Sequence, residues 1–223
     1  MHLLAAQPGG FVDDEGIIDL NQTPADIVIL SAADSSLAAL ASAVSLFHEQ
    51  GGQEQPVSTD LPDVRLANWM QLLKPAAYDL YEHKVLEQAR VVVLSLLGGA
   101  SYWAYGFERL QAWAAGDSGR TLIIVPGDEA LDPELMQASS VSEDECIRVW
   151  RYLREGGIDN ALHLLNALSS EYLHLPLRWH EPKKLPKCML YMPGLAHHLG
   201  QATFVEWQQR WAVQDGSHRP VAL

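Results

Sequence analysis

Cysteine is scarce: 223 residues contain two, Cys146 and Cys188, far apart and with no CxxC pair. A disulfide framework is therefore not expected, and a reducing cytoplasm is the default compartment. Basic residues are also few, 15 Lys and Arg against 28 Asp and Glu, for a formal charge of −13. A surface this acidic repels phosphate backbones and anionic lipid headgroups, so neither nucleic acid nor membrane is expected as a partner. No apolar run exceeds strand length, which leaves no candidate membrane span. MHLLAAQPGG has too short an apolar stretch, and no basic leader, for a signal peptide. Nucleotide fingerprints are missing: there is no GxxxxGK[ST], and no GxGxxG after a strand. GxSxG, HExxH and the kinase signature set are absent as well. Ser31, Ser95 and Ser101 have no visible His and Asp partners for a hydrolytic triad.

What the chain does have is 48% hydrophobic residues, arranged in a rhythm. Its centre is RVVVLSLLGGASYWAYG, starting at Arg90. Val91 to Leu97 is a near-continuous, β-branched run, the pattern of a strand covered on both faces. Gly98-Gly99 breaks it and permits positive φ. A helix follows, with Ser101 as a candidate cap and Trp103, Phe107, Leu110 and Ala114 in phase. A strand, a glycine turn and a helix start can hold an anion. The same three parts also make an ordinary tight βα connection, and glycine turns alone favour that reading.

Further strand patterns are Asp26 to Ala32, Asp63 to Trp69 and Thr121 to Val125, with Phe11 to Leu20 as a candidate edge strand. Helical patterns follow Asp34 (Leu37, Leu40, Ala41, Val44, Phe47) and occupy Tyr78 to Ala89 (Tyr78, Tyr81, Val85, Ala89). Gly51 to Pro62 reads as an exposed loop. The β-α-β-α-β-α-β order predicts an α/β fold, a doubly wound and mainly parallel sheet of the flavodoxin or Rossmann kind. Ligands of such sheets meet the carboxyl ends of the strands. The candidate ligand-binding residues there are Ser31, Asp34, Asn68, Gly98, Gly99, Tyr102, Tyr105 and Asp128. Tyr102 and Tyr105 can stack on a flat macrocycle or wedge a helix against its sheet, and Trp103, on the apolar stripe, is read as a wedge.

Beyond the sheet, Ser142 and Glu145 form a capping box. The helix after it carries Cys146, Trp150 and Leu153 and ends at Gly156-Gly157. A second begins near Asp159, with Ala161, Leu165, Leu168 and Tyr172 in phase. Leu175 to Pro186 reads as a linker, Cys188 to Met192 as a strand and Phe204 to Trp211 as a helix. The expected organisation is an α/β three-layer domain over 1–135, a helical pair packed on it over 136–174, and a linker with the start of a further α/β region over 175–223. The abrupt stop at Leu223 suggests a truncated chain. Nine histidines are scattered. Adjacent residues on a helix or a strand point differently, so joint ligation by the pair His197-His198 is awkward, and with no recognisable ligand motif beside it no metal site is assigned.

Several segments, taken in order, resemble one family. They are QTPADIVILSAADSSLAAL from Gln22, ANWMQLLKPAAYDLY from Ala67, LLGGASYWAYG from Leu96, PGDEALDPEL from Pro126 and WRYLREGGIDNA from Trp150. Together they are similar to the N-terminal part of the large subunit of aerobic cobaltochelatase, related to the H subunit of magnesium chelatase. The resemblance implies a role in ATP-dependent insertion of Co²⁺ into a corrin, hydrogenobyrinic acid a,c-diamide, in cobalamin biosynthesis. It implies that the tetrapyrrole and metal are handled by the full-length subunit. ATP would be hydrolysed by smaller partner subunits, one an AAA+ ATPase, so this chain itself would bind no cofactor. Catalytic residues are not identifiable within it, and the piece alone is expected to be inactive. Two other readings stay open: a non-catalytic docking or scaffold domain, and a free-standing flavodoxin-like small-ligand binder.

Overall fold

A computed structural model describes residues 18–50 and 61–184. Most of the Phe11–Leu20 and Gly51–Pro62 segments lies outside the described residues. The Cys188–Met192 strand, the Phe204–Trp211 helix and His197-His198 lie outside them entirely.

Among the described residues, four strands form one sheet: β1 (Ile27–Ser31), β2 (Val64–Asn68), β3 (Val91–Leu96) and β4 (Thr121–Pro126). Their order is β2-β1-β3-β4, and every pairing is parallel. The apolar runs follow from this position. Alternate side chains of a strand point to opposite faces. Ile27, Ile29, Val91, Val93, Ile123 and Val125 enter one core cluster, while Val28, Leu30, Val92, Leu94, Leu122 and Ile124 enter the other. With both faces covered, the central strands are apolar up to Ser31 and Ser95, the buried polar residues near their carboxyl ends.

The first face is covered by α1 (Asp34–Gln50), α5 (Glu143–Glu155) and α6 (Ile158–Tyr172). The second is covered by α2 (Pro75–Lys84) and α3 (Ala104–Ala115). A short α4 (Pro133–Met136) follows β4. From β1 to β2 the chain steps one way across the sheet, and from β2 to β3 it steps back past β1. Crossovers of one hand then need helices on opposite faces, where α1 and α2 are found. The reversal puts the topological switch point at the carboxyl ends of β1 and β3, the place where sheets of this kind have their crevice.

Local signals set most boundaries. Ser142 and Glu145 form the expected capping box at the start of α5, and Gly156 and Gly157, both at positive φ, separate α5 from α6. The helical pair lies on the sheet within the first of two compact units, Met1–Lys184. Ser101 is not a cap: it is exposed inside a 3₁₀ turn, Ala100–Trp103, and no side chain caps α3. The double glycine leads into that turn before the chain can become α-helical. Trp69 is not the end of a strand either. The Asn68 side chain accepts from the Met70 amide and turns the chain into a 3₁₀ segment, Trp69–Leu72.

Candidate functional site

The parallel register brings Asn68, Ser31, Ser95 and Val125 into one row across the ends of the four strands. Ser31 is buried, and its Oγ accepts from the amide of Ala33, bending the chain into α1. Asp34 opens α1, and its carboxylate accepts from Asn68 Nδ2 at 3.0 Å. The same Asn68 accepts from the Met70 amide through Oδ1 at 3.0 Å. One side chain thus ties the exit of β1 to the exit of β2.

On the other side of the crevice, Gly98 and Gly99 follow β3 with φ of 86° and 78°. A Cβ on Gly98 would sit 3.2 Å from the Tyr102 ring, so Tyr102 lies directly on the turn. The exit of β4 is pressed against the same turn. The Gly127 amide donates to Leu96 O at 2.8 Å, and a Cβ on Gly127 would lie 3.0 Å from the Leu97 backbone nitrogen. Glycine at 127 is what lets the two loops approach so closely.

Aromatic rings floor this rim. Trp69 is fully buried, donates from Nε1 to Ser95 O at 3.0 Å, and stacks on Trp103 with centroids 5.3 Å apart. Trp103 donates in turn to Leu72 O at 3.2 Å. Tyr102 meets Trp69 edge-on at 5.9 Å and remains 56% exposed. Leu97, Met70 and Leu73 are exposed apolar side chains on the same loops. The rim therefore presents an apolar, aromatic surface next to polar groups at the ends of β1 and β2. Surfaces of that composition suit a ligand with a flat apolar body and a polar edge.

The eight sequence candidates divide as follows. Ser31, Asp34 and Asn68 form one hydrogen-bonded corner, and Gly98, Gly99 and Tyr102 form a second. Asp128, just past β4, accepts from the Ala130 amide through its carboxylate, and its carbonyl accepts from the Trp150 indole at 3.1 Å. Tyr105 is drawn away, onto α2. Its hydroxyl donates to Asp79 at 2.6 Å, and that bond raises its pKa. Trp103 packs as the wedge its position on the apolar stripe predicts. The eight candidates leave out Ser95 and the exposed Leu97, and also Trp69 and the exposed Met70, although the strand end read from the sequence runs from Asn68 to Met70. A tryptophan immediately after a strand, with a second just past a glycine turn, was the available signal for the stacked pair. Among the described residues, no group of three or more His, Cys, Asp or Glu side chains is placed to hold a metal ion.

Comparison with known proteins decides the family. No family model matches the chain. The aerobic cobaltochelatase subunit CobN of Pseudomonas aeruginosa is 44% identical over 211 residues, 95% of this chain. The protein of the same name from Sinorhizobium sp is 41% identical over 99% of it. The chain belongs to the aerobic cobaltochelatase CobN family. It spans 16% of the length of each of these CobN relatives. A solved structure, the catalytic subunit of cobaltochelatase from Mycobacterium tuberculosis, matches 75% of this chain with a TM-score of 0.55 and 26% identity. That match occupies 12% of the Mycobacterium chain. The α/β fold of this CobN-family chain therefore recurs inside a cobaltochelatase catalytic subunit. Among the described residues, no helix is long and apolar enough to cross a membrane.

Proposed function

We propose that this chain is an α/β domain of the large subunit of an ATP-dependent cobaltochelatase and helps hold the corrin while Co²⁺, the substrate metal, enters it. The substrate would be hydrogenobyrinic acid a,c-diamide, on the route to cobalamin, in the cytoplasm. The observation that carries this reading is the 44% identity to a CobN subunit across nearly the whole chain. Insertion needs the metal to shed water and the ring nitrogens to shed protons, work suited to histidines and carboxylates converging on a cavity. This reading assigns the domain ring contact, with the converging groups supplied elsewhere in the full-length subunit. Tyr102 and Leu97 would meet the flat apolar face of the ring. Backbone amides of the glycine turn, and Asn68, would meet its polar edge. ATP hydrolysis would belong to smaller partner subunits, including an AAA+ ATPase, and the domain alone would insert no cobalt.

Tryptophan fluorescence titrated with hydrogenobyrinic acid a,c-diamide tests the ring contact. Trp69 touches Tyr102, so quenching is expected and should weaken in Tyr102→Ala. No quenching at concentrations that saturate a full-length CobN subunit would overturn the corrin contact. A second reading is favoured by the exposed Met70, Leu73, Leu97 and Tyr102. In it the rim is a docking face for another part of the chelatase. Co-purification with the smaller subunits that is lost in Leu97→Asp, without corrin quenching, would select it.

A further inference from the structure

After α6 the chain runs back along the helical layer. Leu173, Leu175, Leu177 and Trp179 pack on the core cluster, while His174, Pro176, Arg178 and His180 between them are exposed. This period of two, legible in LHLPLRWH, is that of a half-buried extended segment. Among the described residues, no sheet edge pairs with it. Instead, side chains of α5 and α6 take its backbone groups. Tyr152 Oη donates to His180 O, and Asn166 Nδ2 donates to Arg178 O at 3.2 Å. Asn160, itself buried, grips Lys183 from both sides, donating to its carbonyl and accepting from its amide, each at 2.9 Å. Arg148 lies over the Trp179 ring at 4.8 Å. Leu173 to Lys184 is thus a strap, and it ends where the second compact unit, Leu185–Leu223, begins.

One contact in the strap is of a different kind. The rings of His163 on α6 and His180 on the strap meet edge to face, 4.9 Å between centroids. His163 Nδ1 is buried there without a hydrogen-bond partner. A neutral imidazole tolerates an unpartnered acceptor nitrogen. An imidazolium has a second N–H to place and a charge to solvate.

We propose that the strap is a pH-released clamp, held while His163 is neutral and loosened when His163 takes up a proton against His180. The charged surroundings fit. His180 and Lys183 on the strap both oppose a positive charge on His163, and Asp159, one turn earlier on α6, is the group that favours it. On α5, Arg148 is paired with Glu171 of α6. On α1, packed against α6 through its apolar face, the last titratable residues, His48 and Glu49, are exposed. Burial, more than any of these charges, lowers the His163 pKa. The docked strap therefore binds fewer protons than the released one. Clamping is complete above about pH 6.5, the usual histidine value, and weakens as pH falls toward the lowered one, by up to about tenfold per pH unit. Below the lowered value the loss levels off. Freed, the strap becomes slack chain ahead of Leu185.

Amide hydrogen exchange on the whole chain reads this directly, with the Lys183 amide as reporter and Val93 in β3 as reference. Corrected for intrinsic rates, Lys183 protection should fall severalfold between pH 7.5 and pH 5.5 while Val93 protection holds. The fall should vanish in His163→Phe. Pre-weakening the clamp with Tyr152→Phe should lower Lys183 protection at both pH values and keep the slope. Protection of Lys183 that is flat with pH, or a slope that survives His163→Phe, overturns the proposal. Should His163→Phe not fold, an NMR titration of the wild-type His163 ring decides. A pKa below 6.5 supports the clamp, and one at or above it overturns the clamp.

Discussion

Trp69 and Trp103 lie face to face, their ring centroids 5.3 Å apart and their planes 14° from parallel. One follows β2 and the other follows the glycine turn after β3, with β1 between those strands. Each indole N–H donates to a backbone carbonyl, Trp69 to Ser95 and Trp103 to Leu72. The pair spans the crevice and fixes the loops on both sides. Replacing either tryptophan by alanine should cost about 3–5 kcal/mol, the range for large aromatic side chains in a core. The double variant should cost less than the sum, because the second substitution has no stacked partner left to lose. Urea unfolding of the three variants measures the coupling, and strict additivity would contradict it.

Gly106 offers a test of sign. It lies within α3, where alanine normally stabilises by up to about 1 kcal/mol over glycine. Here a Cβ would fall 2.1 Å from the Trp103 indole, so the buried ring would have to leave its place against Trp69. Gly106→Ala should therefore destabilise by about 1–3 kcal/mol. In a Trp103→Leu background the clash is gone, and the same substitution should become neutral or stabilising. Thermal unfolding of the four chains gives the answer.

Asn68 acts on Asp34 and on Met70 at once. Asn68→Ala loses both bonds and should cost about 1 kcal/mol, as for other caps. Asn68→Asp keeps an acceptor for Met70 but places a second carboxylate beside Asp34. Mutual repulsion raises carboxylate pKa values in the folded state. The deficit is then full at neutral pH, fades as pH falls through the raised values, and is gone below about 4, the ordinary aspartate value. It should also shrink in high salt. Denaturant midpoints at pH 7 and pH 3.5, with and without added salt, check this.

Glu145 closes the capping box of α5. Its Oε2 accepts from the amide and the hydroxyl of Ser142 at 2.9 and 2.6 Å, and Oε1 accepts from Tyr172 at 2.9 Å. The bond from the Ser142 hydroxyl is the main reason its pKa falls below 4.5. A carboxylate with a lowered folded value contributes stability above 4.5 and loses it as pH falls through that lowered value. Glu145→Gln should cost about 1 kcal/mol at pH 7, because an amide cannot accept at every one of these positions. The gap from the wild type should close in acid. A gap of constant size from pH 7 to pH 2 would show that the charge plays no part.

The strands were legible because burial on both faces leaves its mark on consecutive residues. VVVLSL at Val91 and TLIIVP at Thr121 need no partner to be recognised, and both are strands. The capping box and the glycine stop at Gly156 are equally local. At the rim, position along the chain picked out Ser31, Asp34, Asn68 and the double glycine as strand exits. It also placed Tyr105 among them. The chain register of Tyr105 is right for the rim, but its hydroxyl is claimed by Asp79, 26 residues earlier, on a neighbouring helix. Leu175 to Pro186 read as a linker because of its three prolines, two lysines and a histidine. Its alternate leucines and Trp179 were the sign of a docked strap.

Side-chain periodicity and turn chemistry act over a few residues, so strands, helices and their punctuation are written in the chain itself. Which strand lies beside which, which indole lies on Trp69, and why residue 106 must lack a Cβ depend on groups brought together from distant positions. Those pairings arise only when the chain closes long loops and the buried faces choose among possible neighbours, at an entropic cost that no local pattern encodes. The crevice and the strap are both products of that closure.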